Sequence, residues 1–101
     1  MIAPRIFQMR IMTRKIPIIS LEDFEAKAKK PTVMKSLVSN IANGIEHNLE
    51  SVNVAEIKNH DVIISVPKTE WKAGLENAMG YYIEREEYEE CTKIKNLIEK
   101  I

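Results

Sequence analysis

A small α+β domain is the fold this sequence predicts, on three observations. An apolar residue recurs every four positions from Val33 to Leu49; a β-branched run, Val62-Ile63-Ile64-Ser65-Val66, follows the turn-tolerant Asn59-His60-Asp61; and two further helical stripes fill the chain from Trp71 to its last residue. The predicted architecture is a β-hairpin, joined by an N-terminal edge strand, packed on three or four helices and ending in an antiparallel helical hairpin. With 101 residues the chain has room for one core, burying about two thirds of its unfolded surface. A composition of 45% apolar and 30% charged residues, with only three glycines and four prolines, favours regular structure over disorder. Residues 1–19 read as an extension or edge strand, residues 20–101 as the domain, and residues 69–101 as its closing hairpin.

Taken in order, Phe7, Met9 and Ile11 alternate with Gln8, Arg10 and Met12 inside the stretch Arg5–Ile19, the pattern of an edge strand in which Pro17 should end any pairing on its own side. Met9 and Met12 are alternative start residues, so the first eleven residues are expected to be a poorly ordered extension. Ser20 stands three residues before Asp23, a capping hydroxyl with carboxylates at the positive end of the helix dipole, and predicts a short helix that stops before Pro31. Thr32 is then the expected cap of a long helix whose face is Val33, Leu37, Ile41, Ile45 and Leu49, widened by Met34, Val38 and Ala42. Gly44 in its middle costs about 1 kcal/mol relative to Ala and points to a bend or a close backbone approach.

Val52, Val54 and Ile57 alternate with Asn53 and Glu56, and Val62–Val66 supplies the second strand of the hairpin, expected to be the more buried of the two. Pro67 should close it, with Lys68 or Thr69 opening the next helix. There Trp71, Leu75, Ala78, Met79 and Tyr82 share one face, which leaves Tyr81 off the stripe. A last helix is expected from about Glu86, after a tight connection at Glu84-Arg85. Trp71, Tyr82 and Tyr88 read as core aromatics.

Charge is sorted along the chain. Residues 1–40 hold eight basic and three acidic side chains, a net of +5, and residues 41–101 hold seven basic and twelve acidic ones, a net of −5. The basic third (Arg5, Arg10, Arg14, Lys15, Lys27, Lys29, Lys30 and Lys35) is the candidate contact for nucleic acid. Five acids in seven residues, Glu84, Glu86, Glu87, Glu89 and Glu90, suit the start of a helix and also a basic protein partner.

Catalytic chemistry has little to work with. The two histidines, His47 and His60, have no convergent partners in sequence beyond Glu46 and Glu50, and His60 sits in a predicted turn. No phosphate-binding loop, dinucleotide fingerprint or Cys-x-x-Cys is present. Neither catalytic residue, cofactor nor metal is assigned, and an enzyme is not expected. The single Cys91 reads as a small buried residue in a reducing compartment. No apolar run approaches the roughly 20 residues of a membrane span, so a cytoplasmic protein is expected.

The final segment is the most specific stretch. Glu87, Tyr88, Glu89, Glu90, Cys91 and Thr92, Ile94, Lys95-Asn96 and Ile98 follow the order acid, aromatic, Glu, variable, two small residues, aliphatic, a polar pair, aliphatic. In this it resembles the UVR motif, a short helical hairpin of the UvrB, UvrC and McsA type. Lys95-Asn96 stands where the family shows Arg-Asp, and Cys91-Thr92 where it shows two alanines. The resemblance implies a hairpin that pairs with a like hairpin through Tyr88, Cys91, Ile94, Ile98 and Ile101. The Lys/Glu/Ile/Asn-rich helices also resemble, in style, small accessory proteins of T4-like tailed phages, hence a bacterial or phage-infected cell.

The expected function is therefore a non-enzymatic adaptor or regulator. It would bind a larger protein, or a second copy of itself, through Tyr88, Cys91, Ile94, Ile98 and Ile101 with Glu86, Glu87 and Glu90. The alternative is an accessory factor of DNA or RNA transactions that contacts nucleic acid through the basic third.

Overall fold

The computed structural model describes residues 16–27 and 29–101. In chain order they form β1 (Ile18–Ile19), α1 (Leu21–Glu25), α2 (Pro31–Glu46), β2 (Ser51–Ile57), β3 (Val62–Pro67), a 3-10 turn (Lys68–Glu70), α3 (Trp71–Glu84) and α4 (Tyr88–Glu99). The fold is the expected α+β type: a three-stranded mixed sheet with four helices, the last two packed together.

The sheet order is β1-β2-β3, with β1 parallel and β3 antiparallel to β2. The predicted N-terminal strand is observed only at Ile18–Ile19; its earlier residues, Phe7, Met9 and Ile11 among them, lie outside the described residues. Pro17 does not end the pairing, because proline lacks only the N–H: its carbonyl accepts from Glu56 N–H at 2.9 Å. β2, not β3, is the more buried strand. Among the described residues β2 lies between two neighbours, whereas β3 is an edge with Val62 and Ile63 exposed. Between Asn53 and Ala55 the register slips by one residue, a bulge that places Val54 and Ala55 in succession on the buried side.

Ser20 caps α1 as its spacing predicts, its hydroxyl accepting from Asp23 N–H at 3.0 Å. The cap of α2 is Lys30 and not Thr32, because Pro31 takes the first helical position, where its fixed φ suits the helix and its missing N–H costs nothing. The helix stops at Glu46 in a Schellman turn: Asn48 adopts φ 56°, Leu49 N–H reaches Gly44 O at 2.9 Å, and Leu49 is left exposed beyond the face it was expected to join.

The core lies on one side of the sheet. Ile19, Val52, Val54 and Ala55 meet Met34, Leu37, Val38 and Ile41 of α2, then Trp71, Leu75, Ala78, Tyr81 and Tyr82 of α3, and Ile94 of α4. At Gly44 the approach of α2 to its neighbours is so close that a Cβ would come within 2.7 Å of the Trp71 ring and 2.8 Å of Val52. Trp71 is fixed in turn by its Nε1–H, which donates to Val66 O at 2.9 Å. Tyr81 is 7% exposed despite standing off the stripe, since α3 packs against both α2 and α4 and buries more than one face.

Candidate interaction surface

The α3–α4 hairpin is organised by its turn. Arg85 caps α3, Glu86 takes the left-handed conformation at φ 59°, Glu86 N–H donates to Ile83 O at 3.0 Å, and Glu87 N–H donates to Tyr82 O at 2.9 Å. These are the two bonds of a Schellman motif, with glutamate where glycine is usual. The Arg85 guanidinium lies 5.3 Å from the centre of the Tyr81 ring and its Nε donates to Glu87 Oε2 at 3.1 Å. That hydrogen bond holds the Arg85 pKa above its ordinary value. Tyr81 in turn meets Tyr82 edge to face, ring centres 5.0 Å apart. The turn is thus bonded through backbone, ion pair and aromatic contacts together.

The chain returns antiparallel, bringing Cys91 Sγ within 3.8 Å of Met79 O. The predicted seam points largely inward. Ile94 is fully buried in the core, and Cys91 and Ile98 are half-buried against it. Tyr88, expected in the core, is 61% exposed at the first position of α4, and Ile101 is also exposed. Glu86 and Glu87 are exposed, while Glu90 is half-buried with its carboxylate accepting from Lys93 at 3.2 Å.

The tip of the hairpin is therefore where apolar and acidic groups meet solvent together. Ile83, 49% exposed near the end of α3, belongs to this tip although its sequence position gave no sign beyond lying off the Trp71–Tyr82 stripe. Glu84, Glu86, Glu87 and Glu89 are exposed in the same short stretch as Ile83 and Tyr88.

Of the basic third, Arg5, Arg10, Arg14 and Lys15 lie outside the described residues. Lys27, Lys29, Lys30 and Lys35 are exposed, and Lys30 is committed to Asp23 at 3.0 Å. The hydrogen bond from Lys30 lowers the Asp23 pKa. Lys35 borders an open groove of 550 Å³ between β1 and α2. Among the described residues no group of three or more His, Cys, Asp and Glu side chains is placed to hold a metal ion, and no helix is long and apolar enough to cross a membrane.

The chain matches no protein-family model, no curated protein and no solved structure. The geometry of the hairpin is thus the ground on which a functional reading stands.

Proposed function

We propose that the chain is a non-enzymatic protein-interaction module that binds a basic, partly apolar segment of a larger protein at the tip of its C-terminal helical hairpin. The observation that carries this reading is the solvent exposure of Tyr88 among Glu84, Glu86, Glu87 and Glu89. An aromatic side chain left in water on a well-bonded turn is the type of anchor that interface energetics favour, and exposed carboxylates in the same short stretch steer a cationic partner toward it. The same segment carries the resemblance to the UVR hairpin. The contact surface in this reading is the tip and not the Ile94 stripe, because Ile94 is engaged inside the molecule.

Quantitative affinity capture from the native host with the full tagged chain tests the proposal. Tyr88→Ala and the charge reversal Glu84→Lys with Glu89→Lys should each deplete the same partner, the second more strongly at low salt than at high salt. Capture that is indifferent to all three substitutions would overturn the reading. A nuclease-sensitive signal would point instead to the basic N-terminal third.

A further inference from the structure

The outer margin of β3 is chemically self-complementary. β3 pairs with β2 on one side, and among the described residues no strand lies on the other. Edge strands are usually guarded by charge, by proline, by a bulge or by a covering segment. Val62-Ile63-Ile64-Ser65-Val66 has no charged residue, the bulge of this sheet is in β2, and Pro67 arrives only at the strand's end. Val62 is 46% and Ile63 51% exposed. Ile64 and Val66 pack against the core but are less buried than Ala55 and Val52 opposite them. Both faces of the edge therefore present apolar side chains to water.

We propose that β3 pairs antiparallel with β3 of a second copy, joining two three-stranded sheets into one of six strands. A twofold axis through the sheet keeps both helical layers on the same side, and residues opposite one another must then share a face. Pairing centred on Ile64 meets this condition: Ile64 faces its own copy and Val62 faces Val66 on the helix side, while Ile63 faces Ser65 on the open side. The exposed Val62 and the partly buried Ile64 and Val66 of each copy then cover those of the other. Pro67, with no N–H to give, ends the ladder opposite Asp61.

Charge selects this direction. The uncharged stretch is flanked by Asp61 at its start and Lys68 at its end, both exposed. In this register Asp61 of each copy lies opposite Pro67 of the other, one residue from Lys68, so antiparallel pairing brings opposite charges to each end of the ladder, whereas parallel pairing would bring like charges together.

Sedimentation equilibrium of the full chain from micromolar to millimolar concentration should show the mass rising from 11.6 kDa toward twice that value. Over the same range, amide hydrogen exchange in residues 62–66 should slow more than about tenfold as the edge becomes paired. Lys68→Asp should raise the dissociation constant about tenfold, since opposite charges at each end of the ladder become like charges. Adding Asp61→Lys should restore pairing; Asp61 sits at φ 51°, and Lys27 already adopts φ 56° in this fold. A monomer at every concentration would overturn the proposal. So would a dimer whose 62–66 amides exchange at an unchanged rate, or one that Lys68→Asp leaves intact.

Discussion

The Ser36 hydroxyl donates to the Val54 carbonyl oxygen at 2.8 Å, joining the middle of α2 to the bulged residue of β2. A bulge leaves its extra residue out of the ladder, and buried backbone oxygens need a donor. Asn40 completes the arrangement, its Nδ2 donating to Ser36 O at 2.8 Å and to Ser36 Oγ at 3.0 Å. Ser36→Ala should destabilise the domain by about 1–3 kcal/mol, the cost of an orphaned buried acceptor. Urea unfolding should show a lower midpoint at an unchanged slope.

Two glycines in helices should respond to alanine with opposite signs. At Gly44 the new methyl meets Trp71 and Val52 inside contact distance, and the bonded indole cannot swing away. Overpacking of about 1–3 kcal/mol should outweigh the roughly 1 kcal/mol gained in helix propensity. At Gly80 nothing lies within 4 Å of the added Cβ. Gly80→Ala should therefore stabilise by up to about 1 kcal/mol. Thermal unfolding of the two variants beside the parent chain measures both.

Within α4, core and surface should separate cleanly. Ile94→Ala should cost about 2–5 kcal/mol through the cavity it leaves, and Ile94→Glu should prevent folding. Tyr88→Ala should change stability by less than about 0.5 kcal/mol, because Tyr88 is exposed. Circular dichroism during denaturant titration distinguishes them.

Burial lifts the Tyr82 pKa above the ordinary value of 10.0, with Glu90 adding to the effect. The folded state thus favours the protonated phenol. Its contribution to stability is whole below pH 10.0 and is lost as pH rises from there through the raised folded value. Unfolding midpoints should fall above pH 10.0 in the parent chain and fall less in Tyr82→Phe.

Much of the fold was legible because it rests on local chemistry. The hydroxyl of Ser20, the proline at residue 31 and the β-branched run before Pro67 act within a few residues of themselves, and the elements began or ended close to them. Less legible were features that depend on a neighbour brought from elsewhere. The bulge at Val54 is invisible in an alternating pattern until Ser36 arrives to satisfy its carbonyl. The greater burial of β2 over β3 follows from strand order, which two similar apolar runs do not encode. The interaction seam on α4 follows from helical spacing and from the resemblance of its motif, and neither says whether the surface that covers it belongs to another chain or to the helix just before.

Helical periodicity is enough to give α4 one apolar face, since it puts Cys91, Ile94 and Ile98 on the same side of any such rod. That this face is spent inside the molecule depends on long-range packing. The antiparallel return at Arg85–Glu87 presses it onto α3 and α2, so Ile94 enters the core. Tyr88, at the first turn of the same helix, is carried past the edge of that contact into water. The reason is geometric: periodicity fixes the angle between side chains on one helix, but the length and position of the opposing surface fix how many of them it can cover.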